Sequence, residues 1–337
     1  MPDRLPTDLD DSSTLRWSVR SDGEHGFLFI NNYQRIEALS KKKDVQFALK
    51  LKNKTLVLPA TPIDIPAQSY CFWPFNMNLN GALLVYATAQ PLCRIGDIFV
   101  FFACDGIDAE FVFEKSAQPL KPKFEEIFNV GAKAKILLLS QKQARRTFKA
   151  NIWGAERLFL SQSVLLFDGE TLRLQSRKPE NMDVRIYPAP PPLDCEPEHA
   201  GIFSNFSSKL KKREIAVSFE RIRSAKPAAE IQLDKNKRAI VPGDSDFDEA
   251  EIWKIRVPAD ALEGAHEAFL RIHYTGDIAR AYIDDRLVDD DFYFGRPWEI
   301  GLWRFVPEVF EKGITIKNFT FTSRRARLYS ERTPAEI

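Results

Sequence analysis

Five residues, Tyr293, Arg296, Trp298, Glu299 and Trp303, form the densest aromatic–polar cluster of the 337-residue chain. A pyranose ring has an apolar face that lies flat on Trp or Tyr, while nearby carboxylate or guanidinium groups hold its hydroxyls. The chemistry on offer is therefore sugar binding. Aromatic side chains fill cores as readily as sites, so packing is the ordinary role against which binding must be shown. A second group, Asp284-Asp285 and Asp289-Asp290-Asp291, flanks Arg286-Leu287-Val288. Asp284, Asp289 and Asp291 are its candidate calcium ligands, although a solvated turn is the usual state of Asp, and no metal is expected. Asp244-Ser245-Asp246-Phe247-Asp248 also alternates carboxylates, but Glu249 and Ile255 stand where an EF-hand needs Gly and Glu.

Acid–base and thiol chemistry find less support. Glu24 and His25 are adjacent, and neighbouring strand residues point to opposite faces, so the two do not converge. The four histidines, His25, His199, His266 and His273, have no ligand spacing, and His273 is expected on a strand with a partly buried ring. Cys71, Cys93, Cys104 and Cys195 contain no CxxC pair, which argues against zinc. They read as buried free thiols in strands, with one disulfide among the first three left open. No cofactor is expected.

Charge narrows the partners. Lys plus Arg number 48 against 47 acidic residues, so no net field favours nucleic acid or an anionic membrane. The basic runs Lys41-Lys42-Lys43 and Lys209 to Arg213 read as solvated loops or strand edges. No apolar run approaches the ~18 residues that span a bilayer. Met1-Pro2-Asp3-Arg4 lacks the basic-then-apolar signal pattern. A soluble chain of undetermined compartment is expected.

These residues must be positioned by strands. Three Asp-Gly pairs, Asp22-Gly23, Asp105-Gly106 and Asp168-Gly169, each sit between aromatic or alternating runs and predict hairpins, the middle one looser. One helix is predicted from Gln141 to about Asn151, capped by Ser140 with Gln143 completing the capping box. A short helical turn is predicted over 307–312, closed by Gly313. The fold class is all-β: consecutive antiparallel sandwiches with one or two short helices. At this length two or three domains are expected. The expected divisions are a sandwich over 1–120, a small helix-and-hairpin unit over 121–188 continuous with the first, a stiff proline-rich linker over 189–200, and a second β-domain over 201–330. The stretch 226–248 reads as a loop with one short strand.

The run from Asp22 to Arg35, DGEHGFLFINNYQR, resembles the junction that follows the catalytic barrel in bacterial β-galactosidases of glycoside hydrolase family 35. The runs 73–79 (WPFNMNL), 86–93 (YATAQPLC), 101–103 and 110–113 resemble the same group. So do 271–280 (RIHYTGDIAR) and 290–302 (DDFYFGRPWEIGL), which resemble its terminal domain. The resemblance covers most of residues 15–315, with no counterpart between about 209 and 248. It implies a galactose-binding-like jelly roll for the last domain. It also implies a partner, the catalytic barrel of a glycoside hydrolase, which this chain lacks.

A retaining glycosidase needs two carboxyl groups about 5 Å apart, one to protonate the leaving oxygen and one to attack the anomeric carbon. In the family these lie at strand ends of an α/β barrel, and no strand–helix alternation of ~250 residues is present to build one. No catalytic residue is carried over. The first expectation is therefore a non-catalytic accessory region that supports a barrel and shapes its cleft, with an exposed apolar patch of more than a few hundred Å². The alternatives are a stand-alone carbohydrate-binding protein recognising galactosides and, ranked last, a complete glycosidase.

Overall fold

In the computed structural model, the described residues are 2–322 apart from 3, 9, 10, 36, 117, 178–181, 209–214, 228 and 239. The basic run from Lys209 to Arg213 thus lies wholly outside them. The chain divides into two compact units, 1–212 and 213–337. Strands are the main regular element of both, with only short helices, as the sequence predicts.

The first unit opens with β1 (Arg16–Ser21), β2 (Gly26–Asn32), β3 (Lys42–Lys50), β4 (Thr55–Ile65), β5 (Ser69–Leu79), β6 (Ala82–Ala87), β7 (Ala89–Ile95), β8 (Ile98–Ala103) and β9 (Phe111–Phe113). It continues with β10 (Ile127–Gly131), β11 (Ala134–Leu139), α1 (Gln141–Ala144), β12 (Thr147–Ile152), β13 (Ala155–Ser161), β14 (Val164–Asp168), β15 (Thr171–Gln175), β16 (Asp183–Tyr187), β17 (Glu198–Ala200) and β18 (Phe203–Ser207). Three sheets carry it, in the orders β1-β2-β5-β6-β9, β10-β11-β8-β7 and β12-β13-β16-β18-β17, with β3-β4 and β14-β15 as hairpins.

Alternation of apolar residues dictates the layering. In β2, Leu28, Ile30 and Asn32 are buried while Phe29 and Asn31 are exposed, the period-2 pattern of a half-buried strand. Leu28 and Ile30 meet Trp73 and Phe75 of β5 and Phe47, Leu49, Leu56 and Leu58 of the β3–β4 hairpin in one core. The second sheet is different, because β11 reads Ile136-Leu137-Leu138-Leu139 without alternation and all four are buried. Ile136 and Leu138 face one core and Leu137 and Leu139 another, so both sides of this sheet are covered. β11 runs parallel to β8, which accounts for the continuous apolar run and departs from the wholly antiparallel expectation.

Sheet pairing joins 121–188 to the preceding sandwich, as expected of a continuous unit, and also crosses the proline-rich run. Residues 119–122 do not separate domains, since β10 and β11 share a sheet with β7 and β8. The proline-rich run is not an inter-domain linker either. β18 pairs with β16 across it, and Phe203 and Phe206 fill cores of the first unit. The division falls near 212 instead.

Local predictions fare unevenly. Asp168-Gly169 closes a tight hairpin with Asp168 opposite Thr171. Asp22-Gly23 also joins paired strands, but through a four-residue loop, since Ser21 is opposite Gly26. Asp105-Gly106 is not a hairpin: β8 and β9 belong to different sheets, and the turn carries the chain from one to the other. The helix at Gln141 has the predicted capping box but lasts one turn. From Thr147 the chain is instead drawn into β12, whose pairing with β13 wins over the weak helical preference of Thr-Phe.

The second unit contains β19 (Ser218–Arg223), β20 (Ala229–Glu230), β21 (Glu251–Arg256), β22 (Phe269–Ile272), β23 (Ile278–Ile283), β24 (Arg286–Phe292), β25 (Trp298–Gly301), α2 (Glu308–Lys312), β26 (Ile314–Phe319) and β27 (Phe321–Thr322). A five-stranded antiparallel sheet, β19-β21-β26-β23-β24, shares one core with the antiparallel pair β22-β25. Among the described residues the stretch 226–248 holds one short strand, β20, as expected, and ends in a 3-10 turn, Asp244–Glu249. Gly313 ends α2 at φ 69°, ψ −177°, a region open only to glycine, and a Cβ there would stand 2.5 Å from the Ile255 carbonyl oxygen. Gly313→Ala should therefore destabilise this unit by about 2–3 kcal/mol in denaturant unfolding.

Candidate functional site

The predicted aromatic–polar cluster does not converge on one surface. Trp298 is buried in the core of the second unit, with its ring 6.2 Å from that of Tyr274. Tyr293 stacks edge-on against Tyr274 at 5.3 Å. Trp303 is half-buried, packed edge-to-face on Phe269 at 4.8 Å. Glu299 is held by Arg271 at 2.6 Å, and Arg296 lies exposed over Phe294. Strand packing explains the aromatic density at these positions.

The acidic candidates are likewise dispersed among protein partners. Asp284 pairs with Lys312 at 2.6 Å and Asp289 with Arg304 at 3.6 Å. The Tyr274 hydroxyl donates to Asp291 Oδ2 at 2.6 Å. Burial and the Asp291 contact together push the Tyr274 phenol far above its ordinary range. In the other acidic run, Asp244 pairs with Arg280 at 2.6 Å, and Phe247 is buried. Among the described residues no group of three or more His, Cys, Asp or Glu could hold a metal ion. All four histidines are exposed, including His273, which follows the end of β22 rather than packing within it.

A surface missed by the sequence reading stands out on the first unit. The inner face of the first sheet is covered by β3–β4; its outer face is open along β1 and β2 and at Tyr70 of β5, while Pro74 of β5 is buried. Strand register sets three rows across it: Arg16–Asn31–Tyr70, Ser18–Phe29–Phe72 and Arg20–Phe27–Pro74. Strands lie about 4.8 Å apart and same-face rows about 6.7 Å apart, so the grid measures roughly 10 by 13 Å. Phe29 and Phe72 stack at 6.0 Å with a 28° tilt, and Phe27 packs edge-on against Phe72 at 5.9 Å. Tyr33 extends the face, edge-on to Tyr70 at 6.1 Å. Phe29 is 41% exposed, Tyr33 44% and Tyr70 60%. Those two are the exposed tyrosines among the described residues.

The sequence motif builds this face piece by piece. Asp22 folds the first loop by accepting from the backbone amides of His25 at 2.7 Å and Glu24 at 2.9 Å. Those amides hold its carboxyl down at about 2, and His25 Nδ1 lies 3.3 Å from it. Glu24 and His25 therefore serve a turn and do not form a dyad. Asn76 anchors the same loop by donating to the Glu24 carbonyl at 2.6 Å. Gly26 admits the close approach of β1, since a Cβ there would lie 2.2 Å from the Arg20 carbonyl oxygen. Asn31 and Asn32 then divide the work at the polar exit. Asn31 accepts from the Tyr33 amide at 2.9 Å, and buried Asn32 donates to the carbonyls of Ser40 and Pro66 at 2.9 and 2.8 Å.

One ion pair elsewhere in the unit is poised to report on its integrity. Arg185 of β16 forks onto Glu125, with Nη1–Oε1 2.7 Å and Nη2–Oε2 2.5 Å, and both side chains are about three-quarters buried. The guanidinium holds the Glu125 carboxyl below its usual range. A lowered folded-state value means the pair contributes stability at pH above the unfolded Glu value, near 4.3, and loses it as pH falls through the depressed one. Glu125→Gln should reduce stability at pH 7 by about 1–3 kcal/mol and flatten the acid limb of the pH–stability curve.

Compared with known proteins, the chain matches no family model and no curated sequence.

Proposed function

We propose that the chain is the accessory, non-catalytic β-region of a β-galactosidase-like glycoside hydrolase, and that the outer face of β1, β2 and β5 seats against a catalytic barrel. The carrying observation is that face: an open Phe–Tyr grid edged by Arg16 and Arg20, built by the run that resembles the barrel junction. Exposed aromatics with arginine are the composition of interface centres. At roughly 10 by 13 Å the grid is smaller than the expected patch of a few hundred Å², so it is read as the centre of an interface rather than its full extent. The second unit, a five-stranded sheet facing a two-stranded one, is read as a galactose-binding-like jelly roll that supports the same barrel and shapes its cleft. The decisive measurement is association of the purified chain with a family 35-type barrel from the same genome, by calorimetry or analytical ultracentrifugation. Micromolar or tighter binding is expected. Binding weaker than about 100 μM would remove the proposal.

The exposure of Tyr33 and Tyr70 favours a second reading, a stand-alone galactoside-binding protein. Galactoside titration followed by tryptophan fluorescence separates the two, because a saturable change belongs to the second reading only. Three-phenylalanine surfaces without convergent hydroxyl partners favour protein over sugar. Neither reading includes turnover: hydrolysis of an aryl galactoside by the isolated chain, lost on mutation of one carboxylate, would establish a complete enzyme instead.

A further inference from the structure

We propose that Cys71 and Cys104 form an oxidisable dithiol that closes a disulfide between β5 and the loop following β8, stapling the first two sheets of the first unit together. Both cysteines are buried free thiols in the same core. Cys71 lies on β5 opposite Ile30, and Cys104 lies in the loop that leads to β9. Cys104 Sγ comes within 3.9 Å of the Tyr70 carbonyl oxygen, next to Cys71 in sequence, and the two thiols lie close enough to perturb each other's titration. Cys93 and Cys195 stand apart from this pair: Cys93 belongs to a different core and Cys195 is exposed.

The pair is chemically asymmetric. Interaction between the two thiols lowers that of Cys104 and raises that of Cys71, with burial adding to the rise at Cys71. The attacking thiol is assigned to Cys104, which lies in the loop after β8, and the resolving thiol to Cys71, which is fixed within β5. Cys104 also occupies a seven-residue stretch without strand pairing, 104–110, so local opening exposes it without breaking a sheet. The co-reactant is a small-molecule disulfide such as oxidised glutathione. The Cys104 thiolate attacks one of its sulfurs and expels one thiolate. Cys71 then loses its proton, attacks Cys104 Sγ, and expels the second. Two protein thiols and one small disulfide become one protein disulfide and two small thiols, the protons passing to the departing thiolates.

The test uses the full chain, incubated with oxidised or reduced glutathione, then alkylated after denaturation and mapped by peptide mass. The oxidised sample should show two alkylated cysteines in place of four and a cross-linked peptide pair containing 71 and 104. A bridge closing a loop of this length should also raise Tm by roughly 5–10 °C, reversed by reductant. In both Cys71→Ala and Cys104→Ala the Tm rise should vanish, with three alkylatable thiols left in Cys104→Ala but only two in Cys71→Ala, where Cys104 stays trapped as the glutathione mixed disulfide; should either fail to fold, the wild-type peptide map alone decides. Four free thiols after oxidation, or a cross-link through Cys93 or Cys195, would overturn the assignment.

Discussion

Trp73→Ala should lower the unfolding free energy of the first unit by about 3–5 kcal/mol, the usual cost of emptying a buried aromatic site. Trp73 is wholly buried at the middle of β5, edge-on to Phe47 at 6.1 Å, in the core that joins β2, β3, β4, β5 and β6. Flanking Leu28 and Phe75 are held by sheet hydrogen bonding and cannot collapse into the space. Its indole N–H is buried without a hydrogen-bond partner, so the site needs the ring's bulk rather than its donor. Trp73→Phe should therefore cost much less, below about 1.5 kcal/mol. Urea unfolding of the two variants checks both statements, and equal losses would show that the N–H is satisfied after all.

The second large effect concerns the open face. Phe29→Asp combined with Tyr70→Asp should weaken association with a catalytic barrel by a hundredfold or more, about 2.7 kcal/mol. The unfolding free energy should change by less than about 1 kcal/mol, because neither ring is in the core. Phe72, beneath their edge and half-buried, remains to keep the sheet surface intact. Comparing affinity with stability in the same preparation distinguishes a lost contact from a lost fold. Unchanged affinity would place the barrel contact elsewhere on the molecule.

Much of the strand content was legible because period-2 alternation and Asp-Gly turns are local signals. What stayed hidden depends on pairing between distant segments. Residues Phe27, Phe29 and Asn31 share a face by alternation alone, yet nothing local shows that Tyr70 and Phe72 lie beside them. The same limit explains Asp105-Gly106, whose flanking runs look like partners but join different sheets. The proline run misled for a related reason. Its stiffness is readable, but the return of Phe203–Ser207 onto β16 is not. Around Trp298 the sequence showed aromatic density correctly, while burial removed it from any surface.

The return of β18 carries a practical lesson for anyone preparing pieces of this protein. Cutting after position 188, where the prolines invite a boundary, would strip a neighbour from β16 and take Phe203 and Phe206 out of two cores. The leftover fragment would carry a naked strand border over hollowed interiors, the recipe for intermolecular sheet growth and insolubility. Trimming near 212 leaves that seam closed.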